Sequence, residues 1–153
     1  MKTVLSTLTF VALSSAAYAG GHASGDAEAG EKEFRKCKAC HMIQDAEGEN
    51  IVRGGRTGPN LWGVVGRTAG TYDDFRYSSS MADAGEAGLV WDEETFVAYV
   101  QDPTGYLREY LDDNGARGKM SYRLRDAGDA ADIWAYLASV SPEPEMDDAE
   151  QTN

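Results

Sequence analysis

The sequence is short of cysteine, histidine and basic charge, and each shortage closes off a class of protein. Two cysteines in 153 residues are too few for a disulfide-framed domain. Two histidines, His22 and His41, leave little material for a zinc site with several ligands. Fourteen Lys and Arg stand against 26 Asp and Glu, a formal net charge of −12. That balance argues against a surface built to neutralise nucleic-acid phosphates. What is present is a chain of one-domain length, with 42% apolar residues, enough for a packed core.

The start of the chain reads as an address. Lys2 gives a positive beginning, Val4 to Ala17 is a short apolar run, and Ala17-Tyr18-Ala19 has the small-x-small form of a signal-peptidase site. The run is shorter than a spanning helix needs, so cleavage after Ala19 is expected instead of an uncleaved anchor. Residues 1–19 are thus expected to be a signal peptide, 20–141 the domain, and 142–153, acidic and Pro-containing, a disordered tail. Export predicts a soluble periplasmic protein without stable membrane insertion, in a compartment permissive for oxidised thiols.

Within the domain, periodicity predicts helices and almost no strand, an all-α class. The first helix begins at Ser24 or Asp26 and runs to Cys37, with acids early and Arg35, Lys36 and Lys38 late. The second starts on Asp92 and is expected to end at Pro103. The third carries Ala130, Ile133, Trp134, Leu137 and Ala138 at i, i+3, i+4, i+7 and i+8. Shorter helical turns are expected near Ser79–Ala84 and Tyr106–Leu111. Asp45 to Gly70 holds eight Gly or Pro residues and should wrap around something instead of forming a sheet. Three helices of this length make a small core, so something else must fill the middle.

Cys37-Lys38-Ala39-Cys40-His41 supplies the filler. C-x-x-C-H is a c-type haem attachment sequence. Two thiols three residues apart can add across the two vinyl groups on one side of a porphyrin, and the adjacent imidazole then reaches the iron. A thioredoxin-like dithiol would need a βαβ context that is missing. A zinc site would have to recruit His22 from far away. One covalent haem c is the expected cofactor. For a second axial ligand the candidates are His22, Met42, Met81, Met120 and Met146. Met42 follows His41 too closely to reach the opposite face of the iron. Met146 and His22 lie in the tail and leader, and Met81 begins a short helix. Met120 follows Gly115-Ala116-Arg117-Gly118-Lys119, an extended loop able to cross a haem face, and is favoured; a thioether there raises the potential.

The chain also resembles the class I cytochromes c, most nearly the long bacterial c2 or c550 type. The resemblance rests on Gly30 and Phe34 ahead of the C-x-x-C-H motif, then Thr57-Gly58-Pro59-Asn60-Leu61 and Gly66-Arg67. It continues through Phe75, Tyr77, Trp91, Tyr99, Pro103 and Lys119-Met120 to Asp132-Ile133 and Tyr136-Leu137. It implies a fold of three main helices, short helices and long loops around one haem. It implies that Pro59 presents its carbonyl to His41 and that Arg67, Tyr77 and Trp91 serve the haem propionates. Tyr99 should approach the Met120 sulfur, and Gly30 and Phe34 should pack the first helix on the last. Two positions depart from the pattern: Gly118 stands where the family often has Thr, and Tyr122 where it often has Phe. A more mobile Met120 loop is expected from the glycine.

The implied function is one-electron carriage, not catalysis, by a monomer shuttling from a cytochrome bc1 complex to a terminal oxidase or photosynthetic reaction centre. Rival readings are a haem enzyme subunit with an open sixth position, and a dedicated acceptor for a periplasmic dehydrogenase. Charge layout bears on docking. Arg35 to Arg67 holds six basic and three acidic residues, and Arg117 to Arg125 four basic and none acidic. Lys36, Lys38, Lys119 and Arg123 are therefore expected to border the haem edge and meet acidic partners.

Overall fold

The computed structural model describes residues 23–142. The expected signal peptide, His22, Met146 and all of the expected tail beyond Pro142 lie outside the described residues. Helix α1 (Ala27–Glu33) starts where Asp26 caps it, its carboxylate accepting the Ala29 N–H at 2.8 Å. The helix then tightens into a 3₁₀ turn over Phe34–Lys36. A small hairpin follows, β1 (Ile43–Gln44) pairing antiparallel with β2 (Asn50–Val52). The remaining helices are α2 (Ser79–Glu86), α3 (Glu93–Gln101), α4 (Pro103–Tyr110) and α5 (Ala127–Val140).

Two expectations change. Pro103 does not merely end the second helix; it opens α4. Asp102 leaves the helical backbone after Gln101 and caps the next helix by accepting the Gly105 N–H at 3.1 Å. Proline fits the first helical position because that N–H has no intrahelical partner anyway. The glycine-rich stretch also begins with a turn of the β1–β2 hairpin. Asp45 accepts the Glu49 N–H at 2.7 Å, and Gly48 supplies a φ of +84°, a value favouring glycine.

The core is organised by α5. Gly30 of α1 lies directly against the α5 backbone, where a Cβ would meet Asp132 and Ile133. Phe34 packs on Tyr136 with ring centres 5.8 Å apart. From the other side, Phe96 of α3 meets Trp134 at 5.2 Å. Phe34, Ile43, Leu89, Leu107, Ile133 and Leu137 are fully buried. The loop after the hairpin is laced to the chain before α3. Gly66 and Trp91 are joined at 2.9 Å, Trp91 and Arg67 at 3.0 Å, and Ala69 and Leu89 at 2.8 Å. Those backbone bonds bring Arg67 and Trp91 side by side. Among the described residues no helix is long and apolar enough to cross a membrane.

Candidate functional site

The C-x-x-C-H motif continues the winding that α1 begins. Cys37 N–H donates to Phe34 at 2.8 Å, and both Cys40 and His41 N–H groups donate to the Cys37 carbonyl at 3.0 Å. This brings Cys37, Cys40 and His41 to the edge of one cavity of about 350 Å³. Both cysteines are free thiols. Burial pushes the Cys37 thiol up to about 11, which keeps it protonated at neutral pH.

His41 is the most constrained group in the cavity. Its Nδ1 lies 2.8 Å from the Pro59 carbonyl, so Nδ1 carries the proton and Nε2 is left with a free lone pair. Burial lowers the imidazole pKa, and the Pro59 bond opposes that only in part. The loop bearing Pro59 is held on both sides. Gly55 donates to Lys38 at 2.9 Å and Gly58 to Cys40 at 2.8 Å. A Cβ on Gly58 would stand 2.7 Å from His41 Nδ1 and 2.8 Å from Nε2, so only glycine leaves room for the ring. Buried Asn60 locks the same loop to β1. Its Oδ1 accepts from Gln44 N–H at 3.0 Å and Trp62 N–H at 3.1 Å, and its Nδ2 donates to Gln44 at 2.7 Å. Asn60 was legible as part of a motif, but nothing in the sequence assigned it this task.

The other expected residues surround the same space. Pro59, Arg67, Tyr77, Trp91, Tyr99 and Met120 all line it, with Leu61, Val64, Phe96, Val100 and Ile133 as apolar wall. Arg67 donates to the Trp62 and Asn60 carbonyls, both at 3.2 Å, and lies over the Tyr72 ring at 5.4 Å. Burial lowers its pKa, and it keeps N–H groups beyond the two so engaged. Burial raises the Tyr77 phenol, partly offset by Arg67. Burial likewise holds the Tyr99 phenol well above its ordinary range. Trp91 and Tyr99 meet edge-on at 5.1 Å. Of the other candidate thioethers, Met81 also lines the cavity, from α2, whereas buried Met42 does not.

The Met120 segment is held by side chains that carried no signal in the sequence. Arg117 N–H donates to the Ser80 hydroxyl at 3.0 Å, and Gly118 N–H to the Thr104 hydroxyl at 3.4 Å. The Lys119 ammonium donates to the Arg76 carbonyl and sits over the Phe75 ring at 5.5 Å. Ser80, the last of three consecutive serines, and Thr104 are small polar residues on α2 and α4, with no spacing to mark them.

The four expected docking cations differ in freedom. Lys36 is tied to Glu33 and, at 2.9 Å, to Asp129, and Arg123 to Asp102 at 2.8 Å. Lys38 is exposed and makes no ion pair among the described residues. Lys119 is bound by an uncharged carbonyl and a ring, and no carboxylate among the described residues compensates its charge.

The donor set fits a covalently held haem. Two reduced thiols, an imidazole with its second nitrogen free and a soft thioether surround an apolar cavity, with a guanidinium available for anionic substituents.

Comparison with known proteins agrees. No protein-family model matches the chain. It is 63% identical over 119 residues to cytochrome c-551 of Roseobacter denitrificans, covering 78% of this chain and 84% of that one. It is 58% identical over 118 residues to cytochrome c2 of Rhodovulum adriaticum, covering 76% and 94%. The solved structure of cytochrome c2 from Rhodobacter sphaeroides superposes with a TM-score of 0.77 at 54% identity, over 79% of this chain and all of that one.

Proposed function

The chain belongs to the class I cytochromes c of the c2 and c-550 type, electron carriers with one covalently attached haem c, and from that membership we propose the residues and partners that serve the carriage. Cys37 and Cys40 would hold the haem through thioethers, and His41 and Met120 would bind its iron. The observation that carries this reading is the 2.8 Å contact between His41 Nδ1 and the Pro59 carbonyl. It fixes the tautomer, raises the basicity of the ring and offers Nε2 to a metal.

When bound, the haem supplies one-electron exchange between ferrous and ferric iron. The chain's own residues set the conditions for it. Leu61, Val64, Phe96, Val100 and Ile133 exclude water, which lowers the solvent rearrangement that accompanies a change of charge. Arg67, Tyr77 and Trp91 receive the propionates, and the guanidinium, already oriented by two carbonyls, supplies the compensating charge. Tyr99 closes the wall with a phenol that burial keeps neutral. With Met120 and His41 both engaged, no coordination position remains for a substrate, which is the arrangement of a carrier and not of a catalyst.

The protein works as a monomer in the periplasm. It takes electrons from a cytochrome bc1 complex and delivers them to an oxidase or a photosynthetic reaction centre. Docking is brief and around the cavity, which Lys36 and Lys119 line; Lys38 and Lys119 present charge that no carboxylate among the described residues neutralises, with Lys36 and Arg123 as flanking cations. The test is stopped-flow kinetics with bc1 complex. Lys38→Glu together with Lys119→Glu slows association at low salt, and the difference shrinks as salt rises. An unchanged rate and salt dependence would remove the docking assignment.

A further inference from the structure

Of the three methionines among the described residues, Met81 and Met120 line the cavity and Met42 does not. The two that do are placed differently. Met120 is half-buried on an irregular loop, whereas Met81 is 6% exposed and sits in the first turn of α2. The Met81 N–H donates to Ser78, at 3.2 Å to the carbonyl and 3.3 Å to the hydroxyl. Its carbonyl backs onto Gly70, where a Cβ would come within 2.9 Å. The backbone is thus fixed, while the side chain keeps three rotatable bonds. The start of α2 also runs beside the Met120 segment. Ser80 accepts the Arg117 N–H at 3.0 Å, and the Arg76 carbonyl accepts from Lys119. Both thioethers therefore enter the cavity from one wall, and the His41 ring from the other, packed on Gly58 and Pro59.

We propose that Met81 is a reserve axial ligand, a second thioether that would take the iron when the Met120 segment moves away, so that the site stays closed to small external molecules. The inference rests on the haem reading of the cavity, with Met120 as the resting ligand.

The donor chemistry favours Met81 over its neighbours. Cys37 and Cys40 are committed to covalent attachment. Burial raises the phenols of Tyr77 and Tyr99, which keeps them protonated at neutral pH. Lys36 is held as an ammonium by Glu33 and Asp129, and the Lys119 ammonium by the Arg76 carbonyl. A thioether has no proton to lose, and it offers iron the same soft donor that Met120 does. At rest Met81 packs into the hydrophobic core. Reaching inward gives up those contacts, which leaves first place to Met120. Hydroxide competes only on the alkaline side, so the reserve role belongs to neutral pH.

The test compares four holoproteins at neutral pH: wild type, Met81→Leu, Met120→Ala and the double variant. Leu keeps the volume of Met81 and removes the sulfur, an exchange that cores tolerate. The readouts are the methionine-to-iron charge-transfer band, the shifted methyl resonance of an iron-bound methionine in the reduced protein, and carbon monoxide affinity. Met120→Ala keeps a band and a shifted methyl. It binds carbon monoxide about tenfold more weakly than the double variant, as a site roughly nine-tenths closed from within would. The double variant loses both signals, and Met81→Leu alone matches wild type. Equal carbon monoxide affinity in Met120→Ala and the double variant, with no methionine signal in either, would overturn the reserve role and leave the haem reading intact. Loss of the band in Met81→Leu alone would make Met81 the resting ligand and overturn both assignments. Failure of the haem reading is distinct again: the purified protein would lack covalent haem absorbance, and the reserve role would fall with it.

Discussion

The two sides of the cavity are built on different principles. On the His41 side, backbone meets backbone. Gly55 and Gly58 hydrogen-bond into the C-x-x-C-H turn, Asn60 pins the same loop to β1, and Gly58 leaves no space for even one methyl beside the imidazole. On the Met120 side, the loop leans on two hydroxyls and a lysine. At Gly118 a Cβ would find ordinary contacts, 3.4 Å from Leu107 and 3.7 Å from the Thr104 hydroxyl. A side fixed by close-packed backbone has one arrangement. A side fixed by exchangeable side-chain hydrogen bonds has several of similar energy. With His41 and Met120 as the proposed ligands, exchange is expected to begin at Met120 while His41 stays in place.

Four tests break or sharpen that contrast, in descending order of effect. Gly58→Ala forces the His41 ring or the Pro59 loop to move and costs about 2–3 kcal/mol, as overpacking does. Chemical denaturation and the yield of covalent haem both register it. Ser80→Ala strands the Arg117 N–H beside a buried position and costs about 1–2 kcal/mol. Its signature is a lower pH for displacement of Met120, with little change on the His41 side.

Gly118→Ala acts in the opposite sense. The backbone there is not left-handed and the space exists, so the variant gains about 0.4–1 kcal/mol by restricting the unfolded chain. Alkaline displacement of Met120 moves to higher pH, and Gly118→Thr moves it the same way; no shift in either variant would contradict a loosened loop. The smallest effect concerns the docking cations. Lys36 must leave Glu33 and Asp129 to reach a partner, whereas Lys38 has no such competition among the described residues. Lys38→Gln thus weakens binding to bc1 complex more than Lys36→Gln does, as measured by calorimetry or competition kinetics at low salt.

The contrast also explains what the sequence revealed. The His41 side was legible because its needs are strict. C-x-x-C-H and Thr57-Gly-Pro-Asn-Leu61 are dictated by bond lengths and by the absence of room, so they leave short, recognisable strings. Helices α1, α3 and α5 were legible from caps and periodicity, Asp26, Asp92 and the α5 stripe above all. Helix α4 was partly missed because Pro103 reads equally well as a stop and as a first residue, and only the turn at Asp102 decides between them. The supports of the Met120 loop left no pattern, since Ser80 and Thr104 act across 37 and 14 residues of chain. Charge counts singled out four cations, of which Lys36 and Lys119 line the cavity, but pairing decides which of them are free, and Lys36 and Arg123 are not.

The most direct test is an absorption spectrum of the oxidised protein followed as pH is raised, with carbon monoxide added to the reduced form at neutral pH. The account predicts a methionine-to-iron charge-transfer band at neutral pH that fades on the alkaline side while the fold and the His41 bond persist. It also predicts no carbon monoxide binding at neutral pH. A missing band together with ready carbon monoxide binding would mean that Met120 is not a ligand and that the cavity belongs to an enzyme.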